Sequence, residues 1–130
     1  LTATDPSDFQ FKSAMGLSCP DDANCDAKYA GFFNQVYGAA KRYQYYVRHE
    51  SQYAYHAGSL NYVRYNPDAG CGGSDVYIEN KATALLYIYT PYQPNEAALK
   101  ASAGEGDECS TYGNRNFVII YNSMFGNPRG

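Results

Sequence analysis

The segment AKYAGFFNQVYGAAKRYQYYV, residues 27–47, decides the fold, because its apolar side chains recur at the spacing of one helix face. The members of this stripe are Tyr29, Phe33, Val36, Ala40, Tyr43 and Val47. Steps of three and four residues place side chains on the same side of an α-helix. Phe32, Tyr37 and Tyr46 widen the stripe, which is typical of a helix buried in a globular domain. We therefore predict a long central helix with Asp26 as its N-cap.

Length and charge limit the class of protein. The chain has 130 residues, close to the commonest domain size, so we expect residues 1–130 to form a single domain. The net charge is −3 and the charges are scattered. The sequence therefore shows no basic cluster of the kind that binds nucleic acid or an anionic membrane. No apolar run approaches the roughly 18 residues that cross a bilayer, so we expect no membrane insertion. The first residues lack a signal-peptide pattern, and we expect a mature or clipped piece of a longer secreted protein.

Four cysteines, Cys19, Cys25, Cys71 and Cys109, allow three pairings. Cys19 and Cys25 can close a short loop, and Cys71 with Cys109 would then link the second half of the chain to itself. We favour that pairing over a zinc site, because neither a CxxC spacing nor a histidine pair is present. An even number of cysteines in a chain with Gly-rich loops fits an oxidising, extracellular location. We predict no metal and no cofactor.

The remaining sequence predicts a small sheet and four shorter helices. Alternating polar and apolar residues over 53–78, interrupted by turn residues at 66–70, indicate two or three short antiparallel strands. The helices are expected at residues 9–14 after a Ser7 or Asp8 cap, at 79–89, at 96–101 after an Asn95 cap, and at 115–125. In the last one Phe117, Ile120, Tyr121 and Met124 share a face, and its apolar flanks predict nearly full burial. The fold class is therefore α+β, mainly α.

Four runs of sequence together resemble a known family. They are YAGFFNQVY at 29–37, VYIEN at 76–80, YIYTPYQPN at 87–95 and YGNRNF at 112–117. These runs are similar to a secreted domain of actinobacterial cell-surface proteins that is often labelled hemagglutinin-like. The resemblance covers nearly the whole chain. It implies a cell-surface protein, since members of this family commonly carry cell-wall-binding or hydrolase modules beside the domain.

A second, weaker resemblance is to the lysozyme-like lytic transglycosylases. GFFNQ at 31–35 is similar to their Gly-apolar-apolar-Gln helix, with one extra residue, and LLYIYTP at 85–91 is similar to their final element. The resemblance implies a lysozyme-like helical domain with a small sheet, and it places Gln35 among the glycan-binding residues. The catalytic glutamate of that family precedes the Gly-Gln helix, whereas every earlier acid here is an aspartate. A general acid of that kind would therefore lie upstream of residue 1.

Two glutamates are candidates for catalysis within the chain itself. Glycoside cleavage needs a protonated carboxylic acid and often a second carboxylate across the sugar. Glu79 lies beside apolar strand residues, and Glu50 follows the long helix next to His49. The alternatives are that Glu79 serves a helix dipole and that Glu50 is a solvated surface acid. Whether the chain is an enzyme therefore stays open.

Binding has a broader basis in the sequence, which contains 15 tyrosines, six phenylalanines and no tryptophan. Tyrosine rings and planar polar groups suit sugar recognition; the candidates are Asn61, Tyr62, Arg64, Tyr89, Tyr92 and Gln93. The alternative for these rings is that they only cover the core. The favoured hypothesis is a secreted cell-wall or cell-surface domain that binds peptidoglycan-type glycan, alone or within a peptidoglycan hydrolase. The second hypothesis is a structural or adhesive surface protein that self-associates through tyrosine-rich faces.

Overall fold

The computed structural model describes residues 3–20 and 23–127, and the chain divides into two compact units, Leu1–His49 and Glu50–Gly130. The elements in chain order are helices α1 (Asp8–Lys12) and α2 (Phe32–Arg48), strands β1 (Ser59–Arg64) and β2 (Gly73–Ile78), and helices α3 (Lys81–Tyr89), α4 (Glu96–Lys100) and α5 (Gly113–Phe125), with short 3-10 turns at Glu50–Gln52 and Ala69–Cys71. Helices combined with a two-stranded antiparallel sheet confirm the α+β prediction. The lysozyme-like assignment stays a prediction.

Both disulfides have the predicted pairing. Cys19 bonds to Cys25 in the first unit, and Cys71 bonds to Cys109 in the second. Disulfides of this kind persist in oxidising environments, which is compatible with an extracellular protein. Among residues 3–20 and 23–127, none of the helices combines the length and apolar character that crossing a bilayer requires.

The first unit begins with a capped short helix. The Ser7 hydroxyl accepts a hydrogen bond from the Gln10 backbone N–H at 3.2 Å, and the Gln10 side chain accepts one from the Ser7 N–H at 2.8 Å. This reciprocal capping box satisfies two backbone donors at the helix start. The Ser7 cap is confirmed, but α1 ends at Lys12 rather than at residue 14.

The central helix starts later than predicted, and the assignment of Asp26 as its N-cap is wrong. The N-cap is Gly31, whose φ of 98° is accessible mainly to glycine. Residues 27–29 form a turn before it, and the Asp26 carboxylate accepts the Lys28 N–H at 3.0 Å there. A residue with positive φ cannot continue a right-handed helix, so α2 begins at Phe32.

The buried face of α2 also differs from the predicted stripe. Gln35, Ala39 and Tyr46 are buried, whereas Phe33 is 71% exposed and Val36 and Val47 are exposed as well. The Leu17 side chain lies so close to Gly38 that a Cβ there would stand 2.7 Å from it. Small residues at 38 and 39 thus let the preceding loop pack against this side of α2. The side that carries Phe33 is exposed to solvent.

In the second unit, β1 and β2 form an antiparallel hairpin. The register pairs Ser59 with Ile78 and Arg64 with Gly73. Tyr53 and Tyr55 lie outside these strands, so the sheet has two strands, the smaller of the two numbers predicted. An isolated parallel bridge joins Arg64 to Tyr92 and extends the sheet beyond the β1 edge.

Two helices of the second unit, α3 and α4, begin at asparagine caps. The side chains of Asn80 and Asn95 each accept a backbone N–H at 2.9 Å, from Thr83 in α3 and from Ala98 in α4. An asparagine oxygen in this position satisfies a donor that has no partner inside the helix. The Asn95 cap is therefore confirmed, and α3 begins at Lys81, which leaves Glu79 outside the helix.

The last helix, α5, is not nearly fully buried as predicted. Asn114 and Arg115 in its first turn are buried, but the side chains from residue 116 onward are exposed. The periodicity of its apolar residues identified which side chains share a face. It did not determine whether another element covers that face.

Candidate functional site

One face of the β1–β2 hairpin carries exposed aromatic and charged side chains. We call it the tyrosine face and define it by Leu60, Tyr62 and Arg64 of β1 with Asp75 and Tyr77 of β2. Alternate residues of a strand point to the same side of a sheet, and the register pairs Leu60 with Tyr77 and Tyr62 with Asp75. Tyr62 and Tyr77 are 59% and 58% exposed. The two rings are therefore accessible from solvent on one side of the hairpin.

Tyr62 lies against the neighbouring strand at Gly73. An added Cβ at Gly73 would stand 3.0 Å from the Tyr62 ring carbon Cζ and would clash with the Val63 carbonyl oxygen. Glycine therefore leaves room for the ring to reach across to β2, a close approach that a side chain would prevent. Because Gly73 is paired with Arg64, the Tyr62 ring also lies beside the Arg64 position.

The opposite face of the hairpin is buried and holds the tyrosine face in place. Val63 and Ile78 are fully buried, and Asn61 is nearly so. The Asn61 side chain accepts the His56 N–H at 2.9 Å and donates to the carbonyl oxygens of His56 and Ser59, each at 2.9 Å. Asn61 was predicted to contact glycan, but in this structure its amide fixes the chain that enters β1.

Gln93 has a similar structural role. Its side-chain nitrogen donates to the carbonyl oxygens of Val63 at 2.9 Å and Ser74 at 3.1 Å, which belong to the two strands. Its backbone N–H donates to the Arg64 carbonyl oxygen at 2.9 Å. Gln93 was also predicted to contact glycan; these bonds instead tie residues 92–93 to both strands of the hairpin.

Tyr92 lies at the margin of the tyrosine face, next to Arg64 through the isolated bridge. Tyr55 joins the same margin, since its hydroxyl donates to the Pro91 carbonyl oxygen at 3.4 Å. Burial raises the pKa of Tyr55, the neighbouring Tyr92 raises it further, and Arg64 lowers it. Tyr55 is therefore a neutral hydrogen-bonding group near neutral pH, and it stands close to the Arg64 guanidinium.

A second half-buried tyrosine, Tyr87 of α3, lies behind Tyr55, with the two ring centres 5.9 Å apart. Burial raises the pKa of Tyr87, and Tyr55 raises it further. Tyr89, which was predicted to bind glycan, is the half-buried last residue of α3. Of the two predicted tyrosines in this segment, Tyr92 is thus the one that the structure brings next to Arg64.

Gln35 lies inside the first unit and is fully buried. Its side-chain oxygen accepts the backbone N–H groups of Met15 at 3.1 Å and Leu17 at 3.0 Å. Its side-chain nitrogen donates to the carbonyl oxygens of Leu17 at 2.8 Å and Tyr29 at 2.7 Å. The residue that the lysozyme-like resemblance places at a glycan thus fastens two loops to α2.

The two candidate catalytic glutamates have environments unlike that of an enclosed general acid. Glu79 is exposed at the end of β2. Glu50 is half-buried, and its carboxylate lies 2.9 Å from the Lys81 ammonium group. General acids of glycosidases are usually held in apolar pockets that keep the carboxyl group protonated. In the described part of the chain, no three His, Cys, Asp or Glu side chains gather closely enough to hold a metal ion.

Four residues of the site are not among those predicted from the sequence: Leu60, Asp75 and Tyr77 of the tyrosine face, and the neighbouring Gly73. The alternation over residues 53–78 predicts strands in this region, and the observed register between β1 and β2 places Tyr77 beside Leu60. No family model, curated protein or solved structure matches the chain. The chemistry of the tyrosine face is therefore the basis for a functional proposal.

Proposed function

We propose that the chain is a secreted, cell-wall or cell-surface domain that binds glycan through its tyrosine face. The observation that carries this proposal is the exposed Tyr62 ring, which lies across Gly73 between the positions of Arg64 and Asp75. An aromatic ring offers an apolar surface on which the C–H side of a sugar can stack. Tyr77 lies on the same face and widens the apolar area.

The charged neighbours supply complementary hydrogen bonds. The Arg64 guanidinium is a donor with planar geometry, and the Asp75 carboxylate is an acceptor. Sugar hydroxyl groups both donate and accept, so a ring stacked on Tyr62 can bond to both side chains at its edges. A few polar groups around an apolar surface are typical of small-ligand sites. Peptidoglycan fragments are the favoured ligands, as the family resemblance implies.

The experiment is calorimetric titration of the chain with chitooligosaccharides and with muropeptides. We expect saturable binding that Tyr62→Ala weakens at least about tenfold, equivalent to about 1.4 kcal/mol. The matched control is Tyr37→Ala, because Tyr37 is similarly exposed at 54% but belongs to α2. An absence of binding to both ligand sets, or an equal loss in the two variants, would contradict the proposal.

A hydrolase is a narrower form of the same proposal. It requires that the chain lower the turbidity of a purified cell-wall suspension, and that Glu79→Gln or Glu50→Gln abolish this activity. Glu50→Gln also removes an ion pair with Lys81, so its thermal stability is measured alongside. Glycan binding without turbidity loss supports a binding module and contradicts the hydrolase form.

A second candidate function is adhesion by self-association through tyrosine-rich surfaces. The exposed side of α2 favours it, since the Phe33 and Tyr37 rings stack with their centres 5.3 Å apart and both are open to solvent. Large exposed apolar patches commonly mark interaction surfaces. Light scattering that shows ordered oligomers or fibres, together with no glycan affinity, would favour this function over the first.

A further inference from the structure

The exposed side of α5 carries an apolar surface that we call the α5 stripe. Its members are Phe117, Val118, Ile120, Tyr121, Met124 and Phe125. At about 100° per residue, these six side chains lie within about 160° of the helix circumference. Phe125 is 71% exposed and Phe117 is 49% exposed. The Tyr121 ring lies between them, with its centre 6.1 Å from that of Phe117 and 5.0 Å from that of Phe125.

The helix is anchored at its first turn. The Asn114 side chain donates to the carbonyl oxygens of Thr90 and Tyr92, each at 2.8 Å, and the buried Arg115 guanidinium donates to two further carbonyl oxygens. From Asn116 to the end of the helix, the side chains are exposed. An apolar helix of this length is marginal in water unless another surface covers its apolar side.

The stripe carries no charge, since Arg115 is the sole charged residue of α5 and is buried in the first turn. A helix that lies on a membrane surface usually has lysines or arginines along its polar side, whereas the exposed polar residues of α5 are Asn116, Asn122 and Ser123. An uncharged surface also meets a copy of itself without electrostatic repulsion. These features favour a second copy of the chain over a lipid surface.

The area of the stripe is sufficient for such a contact. If each of these side chains displays about 150–200 Å² when fully exposed, the observed exposures leave about 500 Å² of apolar surface on the stripe. Two stripes in contact would remove at most about 1,000 Å² in total, the lower limit for a biological interface and an area typical of a weak, reversible one. Self-paired interfaces are also more apolar than transient ones.

We propose that the α5 stripe pairs with the α5 stripe of a second copy about a two-fold axis. In such a contact the same patch is used by both copies. The aromatic row Phe117, Tyr121 and Phe125 of one copy therefore lies against the same row of the other copy, which runs in the opposite direction. This pairing does not depend on glycan recognition, because its residues are separate from the tyrosine face.

The test is sedimentation of the purified chain over a range of micromolar concentrations, comparing the wild type with Ile120→Glu and Ser123→Glu. Both variants add the same charge to α5, but position 123 lies outside the stripe. We expect a reversible dimer that Ile120→Glu weakens at least 100-fold and that Ser123→Glu leaves unchanged. Circular dichroism checks that both variants keep their helices.

Hydrogen exchange of the α5 amides provides a second measurement. The proposal predicts that their protection rises with protein concentration and is lost in Ile120→Glu. A chain that is monomeric throughout, with α5 amides protected equally at every dilution, would overturn it, as would equal effects of the two substitutions. Tyr62→Ala, measured in the same way, is expected to dimerise normally, which separates this proposal from that on glycan binding.

Discussion

Replacing Gln35 by leucine tests whether this residue holds the first unit together or serves a ligand. Its amide satisfies four backbone groups: the N–H groups of Met15 and Leu17 and the carbonyl oxygens of Leu17 and Tyr29. Leucine has a similar size but no polar atoms. The substitution therefore removes the hydrogen bonds while leaving the volume of the side chain nearly unchanged.

The expected loss follows from the burial of the groups left without a partner. A buried donor or acceptor without a hydrogen bond costs about 1–3 kcal/mol. Leu17 is buried and loses both partners, whereas Met15 and Tyr29 are half-buried and can be reached in part by water. The unpaired backbone groups together destabilise the folded state by about 4 kcal/mol. Burial of the additional apolar surface of leucine stabilises it by about 1 kcal/mol. We therefore expect Gln35→Leu to lower the free energy of unfolding by about 3 kcal/mol, a large share of a typical domain's stability.

The assay is urea unfolding followed by tyrosine fluorescence, with hydrogen exchange at the Leu17 amide as a local measurement. The matched control is Gln44→Leu, since Gln44 is an exposed glutamine on the same helix and its replacement should change the stability by less than about 0.5 kcal/mol. A loss below about 1 kcal/mol for Gln35→Leu, with unchanged exchange at Leu17, would refute the reasoning. Normal stability of Gln35→Leu combined with weakened glycan binding would instead indicate that Gln35 contacts a ligand.

Two further predictions concern the second unit. Hydrogen bonds from the Asn95 side chain, and secondarily from Ser110, lower the pKa of Asp107. The ionised carboxylate therefore stabilises the folded state fully above the ordinary pKa of about 3.9. This stabilisation is lost as the pH falls through the lower pKa of the folded state. In thermal unfolding, Asp107→Asn should be less stable than the wild type at pH 6, with the difference narrowing as the pH falls below about 3.9; a difference independent of pH would contradict this. Arg115→Met leaves the carbonyl oxygens of Ala98 and Gly104 without their donor and should lower the free energy of unfolding in urea by about 3 kcal/mol. The same change at the exposed Arg48 should lower it by less than about 0.5 kcal/mol. Equal losses would rule out a special role for the buried guanidinium.

Local chemistry allowed several elements to be predicted from the sequence. The Ser7 and Asn95 caps depend on side chains within three residues of the donors they satisfy, and the hairpin follows from alternation over a few positions. The start of α2 was missed because the periodic pattern continues through Gly31, although the backbone there has φ 98°. A pattern of side chains does not report a backbone angle.

Burial was harder to predict than periodicity. The spacing of apolar residues on α2 and α5 correctly grouped side chains by face, yet Phe33 and Phe117 are exposed. Which face is covered depends on partners distant in the sequence, such as Leu17 against Gly38. The candidate site shows the same limit. Tyr62 could be chosen from its own strand, whereas the importance of Gly73 and Tyr77 depends on the register between two strands.

The bond between Arg115 and the end of α4 has a consequence for the order in which the chain acquires structure. A helix of five residues is too short to be stable by itself. The carbonyl oxygen of Ala98 in α4 accepts a hydrogen bond from Arg115, which lies 17 residues later in the sequence. We therefore expect α4 to be stable only in a chain that extends through the first turn of α5.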